Sequence, residues 1–343
     1  MGFNRALAYC ACVLLCLYML GTGGFFEGFK KDVSKAAKEE ISEYPAAETE
    51  AEAVSEIEEA EIENSDSETF NEEISCEAET EPLRAVMETV WDEEIRETKI
   101  QGGLSIKNAT SYEVDVRELL AEKPPVKLPE EGPQILIIHT HGSEAYTQAG
   151  LDHYEENDDH RTADKEFSII RIGDELTELY EEAGLRVIHD REIYDYPSYT
   201  GSYKRSGQAV EKYLEQYPEI AVVLDVHRDA LGANGVVYKT MAEEEGVCAS
   251  QIMLLSGSDN SGLYHPDWRE NLSLALYLQN AVTAKHPSLM RPVSLVRERY
   301  NQQLTRGSLI VEVGSSGNTL QEALAAIRLF ADAAAPAFLE LCK

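Results

Sequence analysis

Side chains of the types that bind metal ions follow a short apolar segment of the chain. Residues 134–146 read QILIIHTHGSEAY, so four apolar residues precede two histidines and a glutamate. His141 and Glu144 are spaced as His-x-x-Glu, and one tight turn can direct this imidazole and this carboxylate toward one point. Both groups are zinc ligands in proteins. The alternative is an ordinary polar turn after a buried strand, and this segment alone does not decide between the two.

A second segment offers a third ligand. Residues 224–230 read LDVHRDA and end the most apolar stretch of the chain. Because side chains alternate along a strand, Asp225 and His227 share one face. His227 is therefore a candidate ligand of the same metal, and the nearby carboxylate of Asp225 or Asp229 is a candidate to orient its ring. The alternative is a structural histidine in an ion-pair cluster with Arg228.

A third segment places a carboxylate inside an apolar strand. Residues 308–318 read SLIVEVGSSGN, and a buried Glu312 is costly unless it is paired or reaches a polar cleft. In zinc hydrolases a glutamate transfers the proton of the attacking water to the leaving amine. The alternative is a salt bridge with a nearby arginine, for which the candidates are Arg297, Arg299 and Arg306. The neighbouring residues Arg299, Tyr300 and Asn301 also offer groups that can hold an anionic or amide substrate, and the alternative is that they only pack a loop.

The elements that must position these residues alternate between strands and helices. The apolar patterns predict strands at 135–138, 185–189, 220–226, 235–239, 251–255 and 308–313. They predict helices at 163–182, 203–217, 266–284 and 320–341, with a possible short helix within 82–107. This alternation indicates an α/β fold with a mostly parallel central sheet flanked by helices. Ligands bind beyond the carboxyl ends of such strands, where the three polar segments lie.

The segments before this domain have different compositions. Residues 6–26 are apolar or small, about the 20 residues that cross a bilayer. We expect a cytoplasmic stub and an uncleaved transmembrane anchor within residues 1–31, and the alternative is a cleaved signal peptide that ends at the small residues 21–24. Lysines that follow this span favour a cytoplasmic bulk by the positive-inside rule, which conflicts with the placement expected below. Residues 32–131 are predicted to be an acidic, largely disordered linker, and residues 132–343 the folded domain.

Net charge and cysteine usage exclude other classes. The formal net charge is −33, and residues 39–81 hold eighteen acidic residues without a lysine or arginine. A chain this acidic lacks the cationic surface that nucleic acid requires, so no nucleic-acid partner is expected. The six cysteines are scattered or lie in the apolar N-terminal segment, so they predict no disulfide framework.

The motifs HTHGSEAY, LDVHRDA, RYNQ and LIVEVGSSGNT occur in this order and together resemble the stage II sporulation protein P family. The resemblance covers about residue 132 to the end and also fits an N-terminal anchor. These proteins are membrane-anchored cell-wall hydrolases of endospore-forming bacteria, similar in turn to zinc-dependent N-acetylmuramoyl-L-alanine amidases. The resemblance implies an amidase-like α/β fold, with His141, Glu144 and His227 as zinc ligands and Glu312 as general base.

Two assignments have competitors. The wider amidases take their glutamate ligand from a helix well after the first histidine, so Glu166 competes with Glu144, and His139 likewise competes with His141. Residues expected to orient a ligand or contact substrate are His139, Asp225, Arg228, Arg299 and Asn301.

The resemblance also implies a function. We expect zinc-dependent cleavage of the amide bond between N-acetylmuramic acid and L-alanine during spore engulfment, with endopeptidase activity on peptide cross-links. The expected partners are peptidoglycan, the membrane and stage II sporulation protein D. The catalytic domain is expected outside the cytoplasm, in the space between mother cell and forespore. The rival functions are a carboxypeptidase-like zinc peptidase, which needs an arginine such as Arg228 or Arg299 for a terminal carboxylate, and a metal-free scaffold that binds the wall.

Overall fold

The structure is a computed structural model, and it describes residues 93–98, 104–148, 153–154, 160–233, 236–244 and 246–342. The anchor predicted within residues 1–31 and most of the predicted acidic linker lie outside these residues. Within the described ranges, no helix is both long and apolar enough to cross a bilayer.

The described residues form thirteen strands and five α-helices, and six of the strands follow one another between residues 222 and 256. The strands are β1 (Glu93–Thr98), β2 (Ile106–Asn108), β3 (Ile135–Ile138), β4 (His153–Tyr154), β5 (Val187–His189), β6 (Val222–Asp229), β7 (Gly232–Ala233), β8 (Val236–Thr240), β9 (Ala242–Glu244), β10 (Val247–Ala249), β11 (Ile252–Ser256), β12 (Val293–Leu295) and β13 (Ser308–Ser315). The α-helices are α1 (Val116–Leu119), α2 (Ile169–Glu182), α3 (Ser202–Gln216), α4 (Trp268–Lys285) and α5 (Leu320–Leu339).

The main sheet has seven strands in the order β2-β12-β11-β13-β6-β3-β5. Every neighbouring pair is parallel except β11 and β13, which are antiparallel. The expected α/β fold with a mostly parallel sheet is therefore present, but the single antiparallel pairing reverses β11, β12 and β2 relative to the other four strands. Two smaller sheets, β4-β1-β8-β7 and β10-β9, accompany it.

The strands that carry the polar segments lie in the middle of this sheet. All four residues of β3 are at most 1% exposed, and seven of the eight residues of β6 are buried. A strand covered on both faces buries side chains of both directions, which is why these segments read as continuous apolar runs rather than alternating ones.

Helices cover both faces of the sheet. The larger core includes buried residues of α2, α4 and α5, such as Leu176, Leu272 and Phe330. The smaller core packs Leu136 and Ile138 of β3 against Val210 of α3. Because β3 sends side chains into both cores, the turn at its carboxyl end has a fixed position.

The folded part begins earlier than the boundary predicted at residue 132. Strand β2 pairs with β12 at the edge of the main sheet, and the ring of Tyr112 stacks on that of Trp268 with centroids 4.8 Å apart. The backbone N–H of Leu128 donates to the carbonyl of Leu341 (3.0 Å). The short helix expected within 82–107 is also wrong where the chain is described, because residues 93–98 and 106–108 are strands. These short polar segments are strands because they pair with strands that are distant in the sequence, and the local sequence does not reveal that pairing.

Candidate metal centre

Three side chains from two strand ends converge on one point. One ligand atom from each of His141, Glu144 and His227 lies within 4.8 Å of the others, and all three residues are buried. The Nδ1 atoms of His141 and His227 lie 3.5 Å and 3.4 Å from the two carboxylate oxygens of Glu144. Among the described residues, no other group of three histidine, cysteine or acidic side chains has this geometry.

The local backbone explains the convergence. After β3 the chain turns tightly, and the backbone N–H of Glu144 donates to the carbonyl of His141 (3.0 Å). This turn places side chains three residues apart on one side. Strand β6 lies next to β3, with Ile138 opposite Asp225, so His227 extends just beyond the end of β3 and reaches the same point.

A carboxylate lies beside the far nitrogen of the His227 ring. Its Nε2 lies 2.9 Å from Oδ1 of Asp225, while its Nδ1 faces Glu144. Asp225 is itself fixed, because it accepts hydrogen bonds from the backbone N–H (2.8 Å) and the hydroxyl (2.6 Å) of Thr140. A carboxylate on the far nitrogen is the usual arrangement around a histidine that binds a metal.

The ring of His141 is held by residues that the sequence analysis did not identify. Its Nε2 lies 3.2 Å from Oγ of Ser202, and its ring stacks on Tyr199 at 4.7 Å and meets Tyr203 edge-on at 5.4 Å. The guanidinium of Arg161 lies 5.0 Å from the centroid of the Tyr199 ring. In the sequence, the signal for these contacts with His141 is the segment 194–203, YDYPSYTGSY, which is rich in tyrosine.

Glu144 and His227 have strongly shifted pKa values. Burial alone raises the pKa of Glu144, but its contacts with His141 and His227 outweigh burial and hold the pKa well below its usual range. Burial alone lowers the pKa of His227, but the carboxylate of Asp225 and then Glu144 raise it well above its usual range.

This donor set fits a zinc ion. Two imidazole nitrogens and one carboxylate oxygen, buried and held by outer contacts, form the three-ligand set of catalytic zinc sites. The chemistry of the site therefore allows His141, Glu144 and His227 to hold zinc.

Glu312 lies beside this group without belonging to it. It is the Cα partner of His227 across the β13–β6 pairing. Its Oε2 is buried and has no hydrogen-bond partner, and none of the ion pairs among the described residues includes Glu312. Burial, and then the carboxylate of Asp229, raise its pKa to about 8.

Two of the three arginines considered as salt-bridge partners of Glu312, Arg299 and Arg306, contact other groups. Arg299 donates to the carbonyl of Tyr264 (3.0 Å), and Arg306 lies 3.3 Å from a carboxylate oxygen of Glu270. The structure therefore offers no support for a salt-bridge role of Glu312.

Neither competing ligand lies in the group. His139 donates from Nδ1 to the carbonyl of Val226 (2.8 Å), and its Nε2 lies 2.8 Å from Nε2 of His189. The side chain of Glu166 is 68% exposed and lies 3.9 Å from Arg191. Both side chains therefore face away from His141 and Glu144.

Two residues expected to contact substrate are engaged with backbone carbonyls. The buried guanidinium of Arg228 donates to the carbonyls of Ala145 (2.9 Å) and His160 (3.1 Å), while its backbone N–H donates to Glu144 (3.1 Å). Asn301 donates to the carbonyl of Tyr203 (2.7 Å). The Arg228 side chain thus holds two loops together behind the site.

Comparison with known families assigns the chain. The model of the stage II sporulation protein P family matches residues 24–335, most of the chain. The chain belongs to the stage II sporulation protein P family. The protein of that name from Bacillus subtilis (strain 168) is 24% identical over 229 residues, which cover 64% of this chain and 53% of the relative. The aligned part thus spans about half the length of that stage II sporulation protein P.

Solved structures similar to this member of the family are amidases. The CwlD amidase from Clostridioides difficile, solved in complex with the GerS lipoprotein, is 13% identical with a TM-score of 0.38, and the match covers 61% of this chain and 98% of that one. The N-acetylmuramoyl-L-alanine amidase AmiC2 of Nostoc punctiforme is 15% identical with a TM-score of 0.35, over 61% and 96% of the two chains.

Proposed function

We propose that this chain is a peptidoglycan hydrolase of sporulation, specifically a zinc-dependent N-acetylmuramoyl-L-alanine amidase. It would hydrolyse the amide bond between the lactyl group of N-acetylmuramic acid and L-alanine during spore engulfment. One observation carries the proposal. In a member of this family, the buried group of His141, Glu144 and His227 lies beside a half-buried Glu312 on the next strand, whose buried Oε2 has no hydrogen-bond partner among the described residues.

The residues divide the chemistry between them. His141, Glu144 and His227 would hold the zinc ion, and a zinc ion bound there would polarise the scissile carbonyl and acidify the attacking water. Glu312 takes the proton of that water and delivers it to the leaving amine of L-alanine. A carboxyl whose pKa is about 8 suits this role, because proton transfer is most efficient when the pKa lies near the working pH.

The proposal extends to location and partners. The substrate is in the cell wall, so we place the catalytic domain outside the cytoplasm, between mother cell and forespore, anchored by a single span within residues 1–31. Endopeptidase activity on cross-links and a partnership with stage II sporulation protein D are part of the same proposal. They rest on family membership, and the match to the Bacillus relative covers about half of that protein.

The carboxypeptidase alternative has less support. Such an enzyme needs a cation free to bind the terminal carboxylate of its substrate. Arg228 and Arg299 donate to backbone carbonyls instead. Arg161, which lies 3.8 Å from Glu144, is paired with Asp195.

Zinc content and turnover of one variant test the proposal. The full chain should bind one zinc ion and cleave purified peptidoglycan. Glu312→Gln keeps the shape of the side chain but cannot accept a proton, so zinc should stay bound while cleavage falls on the order of 10²-fold or more. Glu166→Gln, at an exposed position outside the group, is the matched control and should cleave normally.

Two results would contradict the proposal. Zinc-loaded Glu312→Gln that cleaves at a near-normal rate removes this residue from the mechanism. A full chain that binds the wall but takes up no zinc supports the metal-free scaffold instead.

A further inference from the structure

The turn that follows β12 has an unusual backbone. Tyr300 and Asn301 are consecutive non-glycine residues with positive φ angles, +47° and +59°. Residues with a Cβ rarely adopt this conformation, and it persists where the surroundings enforce it, often at functional sites. The side chains of this turn are therefore candidates for a functional role.

Three residues of this turn are anchored through their side chains. Arg299 donates to the carbonyl of Tyr264 (3.0 Å), and Asn301 donates to the carbonyl of Tyr203 (2.7 Å). Gln302 accepts one backbone hydrogen bond (2.7 Å) and donates another (3.0 Å) near the end of β11. These contacts tie the turn to three separate parts of the fold.

Helix α3 is shaped to receive the turn. A Cβ atom at Gly207 would lie 2.9 Å from Oδ1 of Asn301, so the absence of a side chain at this position makes room for the amide. The side-chain hydrogen bonds of the turn and its packing against α3 therefore both hold Tyr300 at its positive φ angle.

Unlike the side chains of Arg299, Asn301 and Gln302, the side chain of Tyr300 makes no hydrogen bond to another described residue. Its half-buried ring lies 5.2 Å from that of Tyr203, which in turn meets the ring of His141 edge-on at 5.4 Å. Burial, and then the carboxylates of Glu298 and Glu312, raise the pKa of Tyr300 to about 12, so the hydroxyl keeps its proton and is a donor at neutral pH.

We propose that Tyr300 is a substrate-binding residue whose hydroxyl donates a hydrogen bond to a carbonyl oxygen of the bound peptide. This role rests on the proposed function, since it assigns a further residue to the same site. A strained and anchored turn presents one donor that no other described residue binds, on a ring that packs against Tyr203. A purely structural role would need only the ring, which packs on Tyr203, and phenylalanine would supply that.

The test is Tyr300→Phe in the full, zinc-loaded chain, with cleavage of N-acetylmuramoyl-peptides measured as kcat and KM. Losing a hydrogen bond of ordinary strength lowers kcat/KM about 2- to 12-fold, and we expect a fall in this range. Zinc content and Tm should not change. Tyr277→Phe is the matched control, because its hydroxyl contacts the carbonyl of Ala337 on α5, and this variant should match the wild type.

A kcat/KM for Tyr300→Phe within the error of the wild type would overturn the role of Tyr300 while leaving the proposed function intact. A fall in kcat/KM that accompanies a loss of zinc or a lower Tm would assign Tyr300 to the structure instead. A zinc-loaded wild type without amide cleavage would refute the proposed function itself, and the role of Tyr300 with it.

Discussion

Glu312 and His227 are partners on neighbouring parallel strands, so their side chains emerge on the same face of the sheet at the same height. His227 belongs to the group of three convergent side chains that could hold a metal ion, and Glu312 does not. Binding of the metal and transfer of the proton are therefore assigned to adjacent but separate residues, and substitutions can remove one without the other.

The first prediction concerns the ligands. His141→Ala or His227→Ala leaves two of the three donors, so each variant should lose zinc and activity together. Metal analysis of the purified protein measures this directly. Glu166→Ala, which changes an exposed carboxylate outside the group, is the control and should retain zinc. Zinc that persists in His227→Ala, or is lost in Glu166→Ala, would show that another residue set binds the metal.

The second prediction concerns the orientation of His227. Asp225→Asn removes the charge that lies 2.9 Å from Nε2 of His227 but keeps a side chain of the same shape. Zinc affinity, measured by competition with a chelator, should fall about 10- to 100-fold. Asp174→Asn is the matched control, since Asp174 contacts His189 away from the site. Equal affinities of wild type and Asp225→Asn would mean that this carboxylate does not act on the ligand.

The third prediction concerns pH and stability without metal. Glu312 has a pKa of about 8 in the folded chain against an ordinary value of 4.5, so folding favours its protonated form. Its contribution to stability is therefore largest below about pH 4.5 and declines as the pH rises toward 8. Glu312→Gln stays neutral throughout. The free energy of unfolding of this variant should match that of the wild type near pH 5 and exceed it near pH 8 by on the order of a few kcal/mol, and its Tm should be higher at pH 8 accordingly.

Thermal scans of the metal-free proteins at the two pH values check this prediction. Glu166→Gln should follow the wild type at both. If the difference between wild type and Glu312→Gln does not grow with pH, the carboxyl is not held in its protonated form by burial.

The fourth prediction concerns the start of the folded part. A chain that begins at residue 132 loses the pairing of β2 with β12 and the stacking of Tyr112 on Trp268. Its Tm should be lower than that of a chain that begins at residue 92, by on the order of 5 °C for about 2 kcal/mol. Equal melting temperatures would restore the boundary at residue 132.

The sequence predicted the positions of the strands and helices better than the directions in which the strands run. The apolar run of β3 matches residues 135–138, because a strand covered on both faces contains only apolar residues there. The reversed direction of β11 has no local signal, since the residues of a strand pack equally well in either direction. Helix α2 begins at Ile169 rather than at residue 163, because the side chain of Ser168 caps its first turn.

In the candidate site too, features that depend on nearby residues could be predicted from the sequence, and features that depend on distant residues could not. The spacing of His141 and Glu144 is local and was readable. The sequence does not show whether His139 or His141 joins Glu144 and His227, because that depends on contacts with residues far along the chain. His139 occupies a space next to Gly173, where a Cβ atom would lie 2.4 Å from its Nε2, and only the folded structure brings the two together.

Product analysis tests the central claim most directly. The zinc-loaded full chain is incubated with purified peptidoglycan, and the products are identified by mass spectrometry. We expect stem peptides with a free amino group on L-alanine, together with glycan that retains the lactyl group, and neither product from Glu312→Gln. Release of terminal amino acids alone, or no new product from a protein that carries zinc, would contradict the assignment as an amidase.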